Sequence, residues 1–180
     1  VDDARLVTLN AIAAQEKGAI IKTQTKCIKA VRQNDVWFIT SKDTLTGDVI
    51  TIRARSIVNA AGPWVAKLFS EALTLKSPQN IRLVKGSHIV VPRIHGQPEA
   101  YLLQNADKRI VFVIPFEDDF SLIGTTDVEH TGDPSTVKIS ESEIRYLLNI
   151  TNGYFKKKIT REDIITTYSG VRPLLDDESV

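Results

Sequence analysis

Apolar positions along the chain change period several times, and the changes divide it. Over residues 1–17 they fall at helical spacing, with Leu6, Leu9, Ile12 and Ala13 on one stripe, Asp2 and Asp3 at the start and Gly18 as a stop. Carboxylates in a first turn favour its exposed N–H groups, and Gly suits the left-handed closing residue, so this pattern predicts a helix. Residues 19–23, 26–32, 36–41 and 49–54 are short β-branched and aromatic runs with polar turns at Gln33-Asn34-Asp35 and 44–48. They predict a meander of hairpin-linked strands. Ile57-Val58 then leads into the small residues Ala60, Ala61 and Gly62, and Pro63 opens a predicted helix over 64–73.

A Ser-Pro connector within residues 76–79 marks the expected domain boundary. Beyond it, residues 82–93, 100–104, 109–116 and 121–127 read as strands, the last two joined by a Glu117-Asp118-Asp119 turn. Residues 140–157 carry Ile144, Leu147, Leu148 and Ile150 on a helical stripe, with Ser140 and Glu143 at capping-box spacing. A last strand-like run, 164–168, is expected to break at Ser169-Gly170 before Val171-Arg172-Pro173. Helices beside mainly antiparallel strands make the fold class α+β.

Composition adds mostly exclusions. Hydrophobic content of 42% and charged content of 25% in 180 residues are globular values, and a net charge of +1 without basic runs gives no nucleic-acid signature. The lone Cys27 forms no internal disulfide, and its simplest role is a small core residue. No apolar run approaches the roughly 18 residues of a membrane span. Position 1 is Val and the chain has no Met, which sets the expectation of a piece of a longer protein.

Candidate chemistry centres on two side chains. Arg172 follows a permissive Gly170 and precedes Pro173, an arrangement that aims a cation, either to capture phosphate or carboxylate or to cap a strand end at the surface. His88 borders the apolar run Ile89-Val90-Val91 and is either a satisfied core residue or an aimed acid/base group. Gly124-Thr125-Thr126-Asp127 either lines a pocket or forms a capped turn, and Arg109 is a further candidate anion partner or a surface residue. The small-residue segment 59–62 before Trp64 suits close approach by a phosphate or ribityl group, and equally tight helix-on-strand packing. His95 and His130 are expected to be solvated, and the scattered histidines predict no metal site.

In order along the chain, VDDARL, NAAGPWV, KGSHIVVPR, ADKRIVFVIPF through GTTD, and YSGVRPL resemble the aerobic, FAD-dependent glycerol-3-phosphate dehydrogenases. These are a branch of the amino-acid-oxidase-like flavoproteins. The resemblance implies that residues 1–73 belong to an FAD-binding domain, 74–164 to a substrate-binding cap, and 165–180 to a strand returning toward the flavin. It implies His88 and Arg172 as catalytic residues, with Arg172, Arg109 and Thr125 at the substrate. Cys27 and Ile28 would contact the adenine side of FAD through the backbone, and Ala60, Ala61, Gly62 and Trp64 the flavin side. It also implies glycerol 3-phosphate as substrate, a membrane quinone as electron acceptor, and a cytoplasmic enzyme peripheral on the membrane, and it leaves a homodimer open. The glycine-rich dinucleotide fingerprint of such enzymes is not in this sequence, so the 180 residues alone are expected neither to hold FAD firmly nor to turn over substrate. A flavin enzyme acting on an amino acid or 2-hydroxy acid, and a non-catalytic binding domain, stand as alternatives.

Overall fold

The computed structural model describes residues 3–175. The expected helix start at Val1 and Asp2, and residues 176–180 of the return segment, lie outside them. The chain forms two compact units, one of residues 1–59 with 67–76 and one of residues 60–66 with 77–180.

The first unit opens with helix α1, Asp3–Glu16. Its apolar stripe is uncovered among the described residues, with Leu6, Leu9 and Ile12 each 45–51% exposed. Strands β1 (Thr25–Gln33), β2 (Val36–Asp43) and β3 (Val49–Ala54) then form an antiparallel meander in chain order. Asn34 and Asp35 both take positive φ, 48° and 61°, the mirror-image turn whose twist matches a two-residue hairpin. The Asp43 carboxylate closes the next turn by accepting from the Leu45 and Thr46 amides at 2.8 and 3.0 Å. The ladder slips between Cys27 and Lys29, so Ile28 has no partner on β2.

The strand expected over residues 19–23 is absent. That segment is irregular, with Ile20 83% exposed, because no neighbouring strand offers it a ladder. The predicted helix over 64–73 forms with changing pitch. A 3₁₀ turn at Gly62–Trp64 leads into a single α turn, α2 (Val65–Lys67), and then a wider turn at Leu68–Leu73 that ends with Thr74 at φ 55°.

The second unit is built on β4, Ile81–Pro92. The others are β5 (Tyr101–Gln104), β6 (Ile110–Phe116), β7 (Phe120–Gly124), β8 (Val128–Glu129) and β9 (Thr166–Leu175), and the sheet runs β5-β6-β7-β4-β8. All its pairs are antiparallel, and β9 lies along the other edge of β4 from Ile81 to Val90. Helix α3, Glu141–Tyr154, covers one face and begins with the capping box formed by Ser140 and Glu143. Ile89, Val91, Val111, Val113, Ile123, Ile144 and Leu147, each at most 2% exposed, fill the layer between helix and sheet. Side chains alternate across strands, so this parity sends Ser87, Ile89 and Val91 toward α3 and His88 the opposite way.

Three expectations change in this unit, one of them at His130, expected to be solvated, whose Nε2 is buried. Strand β9 does not break at Ser169-Gly170: Gly170 faces Gly86 across an unbroken ladder, and Arg172 pairs with Val84 in mid-strand. Ten consecutive partners on β4 hold the backbone extended through the glycine. His95 is not solvated either. Both its ring nitrogens are buried, and the ring packs between Tyr101 and Phe155 at 4.8 and 5.8 Å.

Candidate active site

The face of the sheet turned away from α3 gathers His88, Thr125 and Arg172. His88 is stacked on Tyr168, with ring centroids 4.7 Å apart and planes 11° from parallel. On its other flank is Gly124, directly opposite on β7. A Cβ at Gly124 would lie 2.8 Å from His88 Nε2 and nearer still to the ring carbons, so only glycine admits the imidazole there. Ring and backbone thus clamp His88 in one plane.

Next along β4, Gly86 leaves room for the Thr125 hydroxyl, which occupies the space a side chain would take. A Cβ there would also stand 3.5 Å from Arg172 Nη2, so Thr125 and the guanidinium meet above this glycine. Opposite Gly86, Gly170 has no atom within 4 Å of where its Cβ would be. The result is a niche floored by glycine backbone, with the imidazole at one end, the guanidinium at the other and open space above.

Electrostatics suit a base beside a fixed cation. Burial, and then the positive charge of Arg172, hold the His88 imidazole below its ordinary range, so it is neutral at neutral pH. Its Nδ1 is buried with no hydrogen-bond partner among the described residues. Arg172 Nη2 donates to the Thr126 carbonyl at 3.4 Å, and no carboxylate of the described residues forms an ion pair with it. Most of its N–H donors therefore remain for an anion.

Arg109 is elsewhere. It shares the parity of Val111 and Val113 and stands on the α3 side, paired with Asp107 at 2.6 Å, with its guanidinium 3.9 Å from the Tyr146 ring centroid. There it lines a cavity of about 300 Å³ with Thr126, Val128, Ser142, Glu143 and Tyr146. The structure does not bring it to His88 and Arg172. The turn holding Gly62 and Trp64 lies against β9; Gly62 takes φ 53°, and Ala60 and Ala61 are exposed. Cys27 and Ile28 belong to the first unit, where Ile28 is the unpaired residue of the β1 irregularity and burial pushes the Cys27 thiol up.

Residue reading missed Glu143 as more than a cap. It is 4% exposed yet ionised. Burial raises its carboxyl, but the Lys85 ammonium at 2.8 Å and bonds from Ser140 and Thr126 outweigh that and hold it at about 2. The native state therefore prefers the carboxylate more than the unfolded chain does. The stability this confers is complete above about 4.5 and is lost as pH falls toward about 2. Integrated over that window it is roughly 3 kcal/mol. Denaturant titrations between pH 7 and 3 should show this acid-side loss in the wild type and not in Glu143→Gln; identical pH slopes would refute it.

The sequence model of the family described as FAD dependent oxidoreductase matches residues 1–180. The chain is 58% identical over 179 residues to aerobic glycerol-3-phosphate dehydrogenase of Escherichia coli (strain K12), covering 99% of this chain and 36% of that protein. It is 50% identical over 177 residues to D-erythritol 1-phosphate dehydrogenase of Brucella abortus (strain 2308), covering 98% of this chain and 35% of that one. The fold superposes with a TM-score of 0.88 on glycerol-3-phosphate dehydrogenase from Bacillus halodurans complexed with FAD, at 30% identity over 97% of this chain and 36% of that structure. The chain thus spans about 36% of the length of such relatives. Because the family match runs from the first residue to the last, the chain belongs to the FAD dependent oxidoreductases.

Proposed function

We propose that the protein, at its full length, oxidises sn-glycerol 3-phosphate to dihydroxyacetone phosphate with FAD as hydride acceptor, and that this chain supplies the substrate wall of the site. The observation that carries the reading is the niche itself: a neutral imidazole and a guanidinium free of carboxylate partners among the described residues, over a glycine floor. A base and a cation over one glycine floor suit a hydroxyl and a phosphate on the same small substrate. The buried, partnerless Nδ1 of His88 and the open space over Gly170 fit a site completed by substrate and a flat ring. The strand irregularity at Ile28 and the exposed Ala60-Ala61 approach to Gly62 and Trp64 fit contacts to the adenine and flavin sides of the cofactor.

When bound, FAD would supply the acceptor for the hydride of C2. His88 takes the proton of the C2 hydroxyl as that C–H bond breaks, leaving a ketone with both hydrogens accounted for. Arg172 offers a permanent cation to the phosphate or to the developing alkoxide, and Thr125 lies close enough to orient the same oxygen atoms. Arg109, held by Asp107 and Tyr146, has no substrate contact in this reading.

In the same reading, residues 1–73 are part of the FAD-binding domain, 74–164 form the cap, and 165–180 return the chain toward the flavin. The uncovered stripe of α1 supports a larger surrounding domain, and the 180 residues alone would neither hold FAD firmly nor turn over. Electrons would pass to a membrane quinone from a cytoplasmic enzyme peripheral on the membrane. No helix among the described residues is long and apolar enough to cross a membrane.

The 50% identity to D-erythritol 1-phosphate dehydrogenase favours a four-carbon polyol phosphate as the second reading. Steady-state oxidation with an artificial electron acceptor separates them. Glycerol 3-phosphate should give the higher kcat/KM of the two phosphates, with dihydroxyacetone phosphate as product. It should exceed glycerol by roughly 100-fold or more, the scale of a charge-assisted phosphate contact. Equal rates with glycerol would remove the anion role of the niche.

A further inference from the structure

A single buried carboxylate ties together the three segments that carry the niche. Glu143 Oε1 lies 2.8 Å from Ser87 Oγ and 2.7 Å from Thr126 Oγ1, while Oε2 lies 2.8 Å from Lys85 Nζ and from the Ser140 amide. A carboxylate only accepts, which fixes every proton around it. Ser87 and Thr126 must donate to Glu143. Thr126 Oγ1 then accepts from the Ser87 amide at 2.9 Å, and Ser87 Oγ accepts from Ser169 Oγ at 2.8 Å. Ser87, Thr126 and Glu143 are buried, at 0, 0 and 4% exposure. Thus α3 is joined to β4 beside His88, to the loop carrying Thr125, and through Ser169 to β9 beside Arg172.

The last link reaches the niche. The Thr126 carbonyl, whose residue is anchored by Glu143, accepts from both Thr125 Oγ1 at 3.1 Å and Arg172 Nη2 at 3.4 Å. Both polar groups above Gly86 are therefore referenced to one peptide oxygen. We propose that Glu143 is a positioning residue for the substrate site: through Thr126 it sets where the Thr125 hydroxyl and the Arg172 guanidinium stand on the far face of the sheet. A buried ion pair contributes little net stability against an apolar replacement of equal shape; besides the Glu143 bonds, the loop is held to β4 by the Thr126 amide, which donates to the Ser87 carbonyl at 3.3 Å.

The proposal rests on the functional reading for its kinetic consequences, and the test keeps the two apart. The full-length protein is used, with Glu143→Gln and the isosteric Thr126→Val, which removes both bonds of Thr126 Oγ1, the one to Glu143 and the one from the Ser87 amide, and leaves the Lys85–Glu143 pair in place. Thr126→Val should lower kcat/KM for glycerol 3-phosphate about 10-fold or more, through the same constant that Arg172→Ala changes, at temperatures well below unfolding. In an Arg172→Ala background the same substitution should change kcat/KM less than 2-fold, because its effect passes through the guanidinium. A lowered melting temperature with unaltered kcat/KM, or an undiminished effect in that background, overturns the proposal. Wild type inert toward glycerol 3-phosphate would instead sink the functional reading. The crystal structure of Thr126→Val then decides: a guanidinium displaced from the Thr126 carbonyl supports the positioning role, and one left in place refutes it.

Discussion

His88→Gln in the full-length protein is expected to lower kcat for glycerol 3-phosphate by roughly 10²- to 10⁴-fold, the usual worth of a positioned general base, with KM little changed. Gln keeps a polar, planar end against Tyr168 but cannot take a proton at neutral pH. The pH profile carries the second half of the prediction. Burial first, and Arg172 second, hold the His88 imidazole below its ordinary pKa of 6.5, so wild-type kcat/KM should fall on the acid side with a limb below 6.5. Protonated His88 cannot accept the substrate proton, which gives the limb its sign. The limb should be absent in His88→Gln. A variant within 3-fold of wild type at pH 7.5 would make His88 a packing residue, as its clamp between Gly124 and Tyr168 would otherwise suggest.

Arg172→Ala should cost about 2–4 kcal/mol of transition-state binding, a loss of roughly 30- to 1000-fold in kcat/KM. The split between constants reports which oxygen the cation serves. A rise in KM with kcat retained places it on the phosphate; a fall in kcat places it on the developing alkoxide. Arg172→Lys should recover only part of the loss, since a point charge on a flexible stem does not reproduce the planar fork. Removing the cation also removes the second cause lowering His88, so the acid limb should move up toward its ordinary position while burial still holds it down. Unchanged kcat/KM would leave Arg172 a structural role alone, through its bond to the Thr126 carbonyl.

Much of this site is written in local sequence, and the parts that are not share a physical reason. The continuous Ile89-Val90-Val91 run marked β4 as buried, and Ser140 with Glu143 marked the start of α3; both follow from residues within a few positions of each other. His88 and Arg172 were legible only through their segments' resemblance, because a strand-edge His or Arg has the same local pattern whether it is functional or not. Glu143 was read as a cap because capping spends one oxygen locally. Its other contacts lie 17 and 56 positions away, at Thr126 and Ser87, and only tertiary packing reveals them.

The strand expected over 19–23 failed for want of a partner, which no propensity encodes. Glycine weakens an isolated strand, which makes Gly170 look like a break in the sequence, whereas ten consecutive pairs with β4 override that preference. Arg109 is the instructive case. Residues 110–114 are apolar throughout, so no alternation in the sequence assigns it a face; the burial of Val111 and Val113 but not of Ile110 and Phe112 puts it on the helix side, opposite His88.

The most direct test is the reductive half-reaction of the full-length wild-type protein. Under anaerobic conditions, mixing with glycerol 3-phosphate should bleach the visible flavin absorbance stoichiometrically and release dihydroxyacetone phosphate, while glycerol, amino acids and 2-hydroxy acids leave it unchanged at equal concentration. A flavin that stays oxidised with glycerol 3-phosphate, or one bleached by an amino acid or 2-hydroxy acid instead, would contradict the account.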